Sequence, residues 1–287
     1  MGDAAQGEPR KHEVFEKPFK VEPKFELWKT PSRYRQLPGG EGLPDKVKVW
    51  RIQDTGKTYG GVVARAWGFE DSPDTEVLTP GYNDGKENGA VGVGRHGNFL
   101  QWGFSAPPSQ MTDAGRKFFL NCICYIRRFD GKGPLVRRKT GHRTYAVRDA
   151  MLINEIKDFA RNFPEDVAAK YEEDPEGLVA LYKEHFELIY PTRVGRGIVY
   201  LIDSELRSLG IDSNRKVSTL ARLIALLKDE KQAGTARHLL DRYTQESFES
   251  AADWEAWFDE NRDRIYFSDV YGYKFRVAPE GYLDVAD

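Results

Sequence analysis

Apolar and polar residues alternate along short stretches between residues 47 and 105, which predicts β-strands there. In VKVWRIQ (47–53), odd-numbered and even-numbered residues would lie on opposite sides of an extended chain. Three further strand candidates are GGVVARAWGF (60–69), AVGVG (90–94) and NFLQWGFS (98–105). The last two are separated by a turn that contains Gly97.

A helical period follows these strands. In PPSQMTDAGRKFFLNCICYIRRF (107–129), the prolines precede Thr112, a candidate N-cap residue, and Asp113 falls in the first turn. The predicted apolar face of this helix consists of Phe118, Phe119, Cys122, Ile123 and Ile126. Residues 47–130 are therefore predicted to form a small α/β (β-β-α) module.

Apolar residues at i, i+3 and i+4 spacing recur beyond residue 148 and predict a helical domain over residues 149–287. The pattern covers 149–163, 174–190, 195–210, a helical hairpin over 213–244 and a short helix within 253–267. RIYFSDVYGYKFRV (264–277) predicts a β-hairpin that turns around Asp269–Gly272. The predicted fold class is α+β: a small β-β-α module followed by a helical domain that ends in a β-hairpin.

Two segments show neither period. Residues 1–46 contain six prolines and many charges, and they are predicted to form an extended arm. The arm carries the aromatic residues Phe15, Phe19, Phe25 and Trp28, which disordered tails usually lack, so we expect these side chains to dock into an interface. Burial of the same side chains within the monomer is the alternative. Residues 131–148, GKGPLVRRKTGHRTYAVR, are rich in glycine and basic groups and are predicted to be a linker.

The composition excludes several classes of protein. Of the 287 residues, 40% are apolar and 31% are charged, as in an ordered globular protein. The net charge of −2 argues against nucleic-acid binding. The strongest basic stretch is instead expected to be an interdomain connector or a clamp onto acidic helices; it comprises Arg127, Arg128, Lys132, Arg137, Arg138, Lys139 and Arg143.

No apolar run approaches the roughly 20 residues that a membrane-spanning helix needs. The first fifteen residues contain no signal-peptide core, so cytoplasmic localisation is the default expectation, and a secreted or periplasmic chain trimmed of its signal remains an alternative. Cys122 and Cys124 are expected to be buried thiols rather than a disulfide or a zinc site. No metal ion is expected.

The loop GVGRHGNFLQWGF (92–104) contains Gly92, Gly94 and Gly97 at the G-x-G-x-x-G spacing of dinucleotide-binding loops. Such a loop needs a helix after the third glycine, whereas an aromatic-rich strand pattern follows here. We therefore expect the glycines to serve backbone geometry, and no cofactor is predicted.

The same loop places Arg95, His96 and Asn98 close together, with Trp102 behind them. A cation, an imidazole, an amide and an indole form a candidate binding site for a carboxylate, a phosphate or sugar hydroxyls. The alternative is that these side chains stabilise the neighbouring backbone. The acids of GFEDSPDTE (68–76) are either acid/base groups or part of a solvated loop. No candidate catalytic nucleophile is evident.

The segment GRHGNFLQWGFSAPPSQMTDAGRKFFLNCICYI (94–126) resembles the closing β-β-α part of class I glutamine-amidotransferase-like domains, including the ThuA-like group. Residues 239–277 resemble the tail of uncharacterised bacterial proteins that carry similar modules. The resemblance implies a strand, a second strand, a proline-containing turn and a helix. In these domains the nucleophile lies in an earlier half that has no counterpart here, so no catalytic residue is carried over and a non-catalytic module is expected.

Two functions remain open. The first is a non-catalytic binding or assembly subunit that contacts other protein subunits, in a homo- or hetero-oligomer. The alternative is a hydrolase-like enzyme that acts on a small polar or carbohydrate-like substrate at Arg95, His96 and Asn98.

Overall fold

Four small antiparallel sheets and nine α-helices make up the described part of the chain, so the predicted α+β class is confirmed. The computed structural model describes residues 1–57, 59–194 and 197–283. These residues divide into two compact units, one from Met1 to Leu135 and one from Val136 to Leu283. Within the described residues, no helix is both long enough and apolar enough to cross a membrane.

The first sheet of the first unit has the strand order β1-β3-β2, with β1 at Ala4–Gln6, β2 at Phe25–Lys29 and β3 at Lys46–Arg51. The predicted strand at 47–53 is thus present as β3, in the middle of the sheet. The prediction of a separate extended arm over residues 1–46 is corrected, because two segments of that stretch pair with β3. Strands β1 and β2 are three and five residues long, too short to show an alternating pattern, and each pairs with a segment distant in sequence.

The second sheet has the order β4-β5-β6, with β4 at Thr75–Pro80, β5 at Val91–His96 and β6 at Phe99–Trp102. Strands β5 and β6 and the turn between them were predicted, whereas β4 was not. The strand predicted over 60–69 is wrong: residues there make only isolated bridges, from Gly61 to Phe104 and from Ala64 to Val91.

Helix α2 (Asp113–Ile126) begins as predicted, since the Thr112 side chain accepts a hydrogen bond from the Gly115 N–H. A short helix α1 (Ser32–Arg35) lies between β2 and β3. Ile123 is 43% exposed, so the predicted apolar face of α2 is rotated from the observed one. Asn121 is buried instead, because its amide donates to the carbonyls of Val14 and Phe19, which lie against this face.

The predicted pair of buried thiols is half correct: Cys122 is buried and Cys124 is exposed. Two residues apart on a helix, the thiols point in different directions. Cys122 belongs to the main core of the first unit, together with Trp50 and Phe118.

The second unit contains most of the helices. They are α3 (Thr144–Met151), α4 (Glu165–Lys170), α5 (Pro175–Glu184), α6 (Ser204–Ser208), α7 (Val217–Leu226), α8 (Ala233–Tyr243) and α9 (Ala251–Asn261). The predicted helical hairpin is present as α7 and α8. The C-terminal hairpin is confirmed as β9 (Ile265–Ser268) and β10 (Lys274–Val277).

The helix predicted over 195–210 is wrong in its first half. Strands β7 (Ile189–Val194) and β8 (Gly197–Ile202) form an antiparallel pair, and only α6 is helical in this stretch. The run GIVYLI is rich in β-branched residues, which favour strands. A short continuous apolar run does not by itself distinguish the helical period from the alternation of a strand. The predicted linker 131–148 is also shorter than expected, since α3 begins at Thr144.

Candidate functional site

The glycines of the 92–104 loop serve backbone geometry. Gly97 has a φ of +55° in the β5–β6 turn, a conformation that side chains other than glycine adopt at a cost. Gly94 serves close approach instead: a Cβ there would lie 2.7 Å from Phe69 Cζ and 2.9 Å from the Glu76 carbonyl oxygen. Strand β6 follows the turn, so no helix N-terminus is present to receive a pyrophosphate.

Arg95 is held by groups of its own unit. Its Nε donates to Glu76 Oε2 at 3.0 Å and its Nη1 donates to the Gly97 carbonyl at 3.0 Å. The guanidinium carbon lies 3.8 Å from the centre of the Phe129 ring, and the residue is buried. Its charge is therefore already paired with a carboxylate and covered by an aromatic ring.

His96 faces a different carboxylate. Its Nε2 lies 3.5 Å from Oδ1 of the buried Asp74. Burial alone would raise the pKa of Asp74, but contacts from His96, the Ser72 hydroxyl and the Leu135 N–H outweigh it and lower that pKa to about 2. Asp74 is thus a buried carboxylate held by hydrogen bonds, whereas Glu70, in the turns that precede β4, is exposed as expected of a solvated loop.

The four predicted ligand-binding side chains do not converge. Trp102 pairs with Val93 across the sheet, which places it on the face that Arg95 shares, and its ring packs 5.6 Å from that of Phe118 in the core. His96 lies on the opposite face. Asn98 is bound through its backbone, where its N–H donates to the Lys132 carbonyl at 2.7 Å.

A cleft of about 350 Å³ in the first unit is lined by His12 and Glu76, two residues not predicted to lie together. Glu76 contacts Arg95, the Tyr125 hydroxyl and His12, whose Nε2 is 3.8 Å away. His12 Nδ1 accepts the Val14 N–H, and burial lowers the pKa of His12, which favours the neutral ring with its proton on Nε2. In that form the Nδ1 lone pair is occupied by the Val14 N–H, and Nε2 lies beyond hydrogen-bond distance of Glu76.

The aromatic residues of the first 46 positions fall into two groups. Phe15 is buried and stacks on Phe118 at 4.8 Å, so its predicted role as an interface anchor is corrected. Trp28 is half-buried against Tyr82 at 5.0 Å. Phe19 and Phe25 are each 44% exposed. Only this second pair presents much of its ring to solvent.

Strand β2 forms one edge of its sheet, and its outward-facing groups can be assigned from the register. The Thr30 N–H donates to the Asp45 carbonyl at 2.8 Å, which extends the β2–β3 ladder by one pair. Hydrogen-bonded pairs alternate along an antiparallel ladder, so Trp28 and Glu26 bond to β3 whereas Leu27 and Phe25 point their N–H and C=O groups outward.

The opposite side of β3 agrees with this assignment. The Gly7 N–H donates to the Lys48 carbonyl at 2.8 Å, so Lys48 bonds toward β1. The Lys29 carbonyl, also on the outer edge, accepts the Tyr82 hydroxyl at 2.8 Å. Among the described residues no strand pairs with β2 on this side, and the Leu27 side chain there is 63% exposed.

Known proteins do not add to this picture. No protein-family model, curated protein sequence or solved structure matches the chain.

Proposed function

We propose that this chain is a non-catalytic assembly subunit, and that its first unit binds a second copy of the chain through the outer edge of β2. The observation that carries the proposal is the pair of exposed apolar side chains, Phe25 and Leu27, on an edge strand whose outward backbone groups face solvent. Natural proteins usually shorten, charge or cover such an edge, because it is a template for another strand.

A second copy suits this edge by side-chain chemistry. In an antiparallel pairing with two-fold symmetry about Leu27, each Leu27 lies opposite its counterpart and each Phe25 lies opposite a Lys29. A lysine already sits over the Phe25 ring within the chain, with Lys48 Nζ 5.2 Å from the ring centre. Apolar and cation–aromatic pairs across strands both stabilise a sheet.

The backbone register fits the same pairing. The outward groups of Phe25, Leu27 and Lys29 would meet those of Lys29, Leu27 and Phe25 in the second copy, which gives three neighbouring hydrogen-bonded positions of a ladder. The Lys29 carbonyl, which already accepts the Tyr82 hydroxyl, would accept a second hydrogen bond there. Two such three-stranded sheets would join into one of six strands. Each edge then loses the unpaired groups that otherwise attract unwanted partners.

The polar residues support binding over catalysis. Arg95 and His96, the candidates for a substrate site, each face a carboxylate of their own unit. We also propose that residues 94–126 resemble the closing part of a ThuA-like domain. This resemblance assigns no catalytic residue to the chain, which agrees with a non-catalytic role. An assembly role requires none of these side chains to be free.

Light scattering coupled to size-exclusion chromatography tests the proposal. We expect the wild type to elute at twice the chain mass of 32.8 kDa. Leu27→Pro removes an outward N–H and leaves the inward ladder to β3 intact, so it should raise the dimer dissociation constant by about tenfold or more.

The matched control is Ile123→Lys, which changes a similarly exposed apolar residue on α2. It should leave the mass unchanged. A wild-type chain that stays monomeric up to high concentration, or a Leu27→Pro variant that dimerises as well as the wild type, would refute the proposal.

A further inference from the structure

The second unit contains a cleft of about 550 Å³ that the assembly function does not use. It lies beside α3 and strand β8, within the range of volumes that small-molecule sites have. Its lining is polar and aromatic: Arg138, Lys139, Thr140, Gly141, Tyr145, Arg148, Asp149, Asn162, Ile198 and Tyr200.

The cleft carries excess positive charge. Its lining has three cationic side chains, Arg138, Lys139 and Arg148, and one carboxylate, Asp149, so the formal charge of the lining is +2. The chain as a whole has a net charge of −2, so this charge is a local property of the cleft. A local field of this kind favours an anion over a neutral ligand.

Arg148 is fixed in place before any ligand arrives. Its Nε donates to Asp149 Oδ1 at 2.6 Å, and Asn162 Nδ2 holds the other carboxylate oxygen at 2.8 Å. The guanidinium carbon is 4.4 Å from the Tyr145 ring centre and 5.1 Å from that of Phe159. A guanidinium held between two rings loses little freedom when it binds an anion.

One edge of that guanidinium is left for a ligand. Asp149 accepts from Nε and Nη2, and within the described part of the chain Nη1 makes no hydrogen bond. Arg138 and Lys139 are exposed, and their long side chains can reach over a bound group. Together they offer one fixed donor and two adaptable ones.

We propose that this cleft binds the phosphate group of a small phosphate monoester. A phosphate monoester carries about −1.5 to −2 charges at neutral pH, which matches the excess of the cleft better than a single carboxylate does. Thr140 and Tyr200 supply hydroxyl groups to the attached organic part. This site lies in the second unit and does not rest on the proposed dimerisation.

Gly141 keeps the cleft open. A Cβ at this position would lie 2.6 Å from the Tyr200 hydroxyl oxygen, so any larger residue would displace that ring. Gly141→Ala should therefore weaken binding without changing any charge, which separates shape from electrostatics.

Isothermal titration calorimetry with ribose 5-phosphate, inorganic phosphate and acetate tests the proposal on the full chain. We expect the ester to bind with a dissociation constant of about 1 mM or tighter, and acetate, a single carboxylate, to bind more weakly than the ester. Arg138→Gln and Lys139→Gln should each weaken binding about tenfold, as lost charge-assisted hydrogen bonds do.

The matched control is Arg137→Gln, an exposed neighbour that does not line the cleft. It should leave binding unchanged. Equal losses for Arg137→Gln and Arg138→Gln would show general electrostatic attraction and overturn the proposal. Two further results would overturn it: absence of saturable binding of the ester, or binding only of a phosphoserine peptide or an oligonucleotide in place of the free ester.

Discussion

Replacing Asp269 by asparagine tests the most buried ion pair of the second unit. Arg143 and Asp269 are both fully buried, and Arg143 Nη2 and Nε donate to Oδ1 and Oδ2 of the carboxylate at 2.6 and 2.8 Å. The Arg143 N–H donates to the same carboxylate at 3.0 Å. Asp269→Asn keeps the shape and removes the charge.

The expected loss of stability follows from what the substitution leaves behind. Arg143 keeps only the Phe186 carbonyl and the Asn214 side chain as uncharged acceptors for its other donors. Breaking a buried ion pair by removing one partner costs about 3–5 kcal/mol, because the remaining charge stays desolvated. Because the free energy of unfolding of a typical protein is about 5–15 kcal/mol, the second unit of this variant should be only marginally folded.

The pH dependence of this difference has a definite sign. Burial alone would raise the pKa of Asp269, but the charge and hydrogen bonds of Arg143 outweigh it, so that pKa lies below its ordinary 3.8. The folded state therefore holds this proton less tightly than the unfolded state does. The pair contributes its full stability above about pH 3.8 and loses it as the pH falls further.

The assay is urea unfolding monitored by hydrogen exchange and mass spectrometry. Peptides from residues 136–283 report on this unit alone. Asp212→Asn is the matched control, since Asp212 forms an exposed pair with Lys216 and should matter by less than about 0.5 kcal/mol. A loss for Asp269→Asn within about 1 kcal/mol of that control would refute the reasoning.

Three further variants report on the first unit, each measured by urea unfolding with peptides from residues 1–135. Phe15→Ala should lower the free energy of unfolding by about 3–5 kcal/mol because a buried ring is lost. An unchanged urea midpoint would show that the Phe15 ring does not pack in the core. Gly97→Ala should cost about 1–2 kcal/mol or more, since φ is +55° and the new Cβ would lie 2.6 Å from the Lys132 carbonyl oxygen. Glu76→Gln should cost about 2–3 kcal/mol by removing the charged partner of buried Arg95, and a neutral result would contradict the pairing.

The elements that could be predicted from sequence are those with local signals. Apolar and polar residues alternate along β3, Thr112 is an N-cap residue at the start of α2, and a five-residue turn joins β9 to β10. Each of these depends on neighbours in the chain. Strand β4 gave no such signal, because TEVLTP (75–80) does not alternate apolar and polar residues along its length, and its pairing with β5 is irregular in register.

The candidate site shows the same limit. The residue types at 95–98 correctly marked a polar turn, but the sequence does not show that Arg95 meets Glu76 and His96 meets Asp74. Those acids stand out as a group in the sequence, but nothing there shows that Glu76 lies in β4 whereas Asp74 comes just before the strand. The exposed edge of β2 could not be predicted from sequence, because whether a strand lies at an edge depends on which other strands pair with it.

Residue-resolved amide hydrogen exchange in β2 tests the central claim most directly. We predict that the Phe25 and Leu27 amides become protected as protein concentration rises, whereas Glu26 and Trp28, which bond to β3, are protected at every concentration. Protection of Leu27 that does not change with concentration, or equal protection of all four amides in the dilute protein, would contradict the pairing of two copies through this edge.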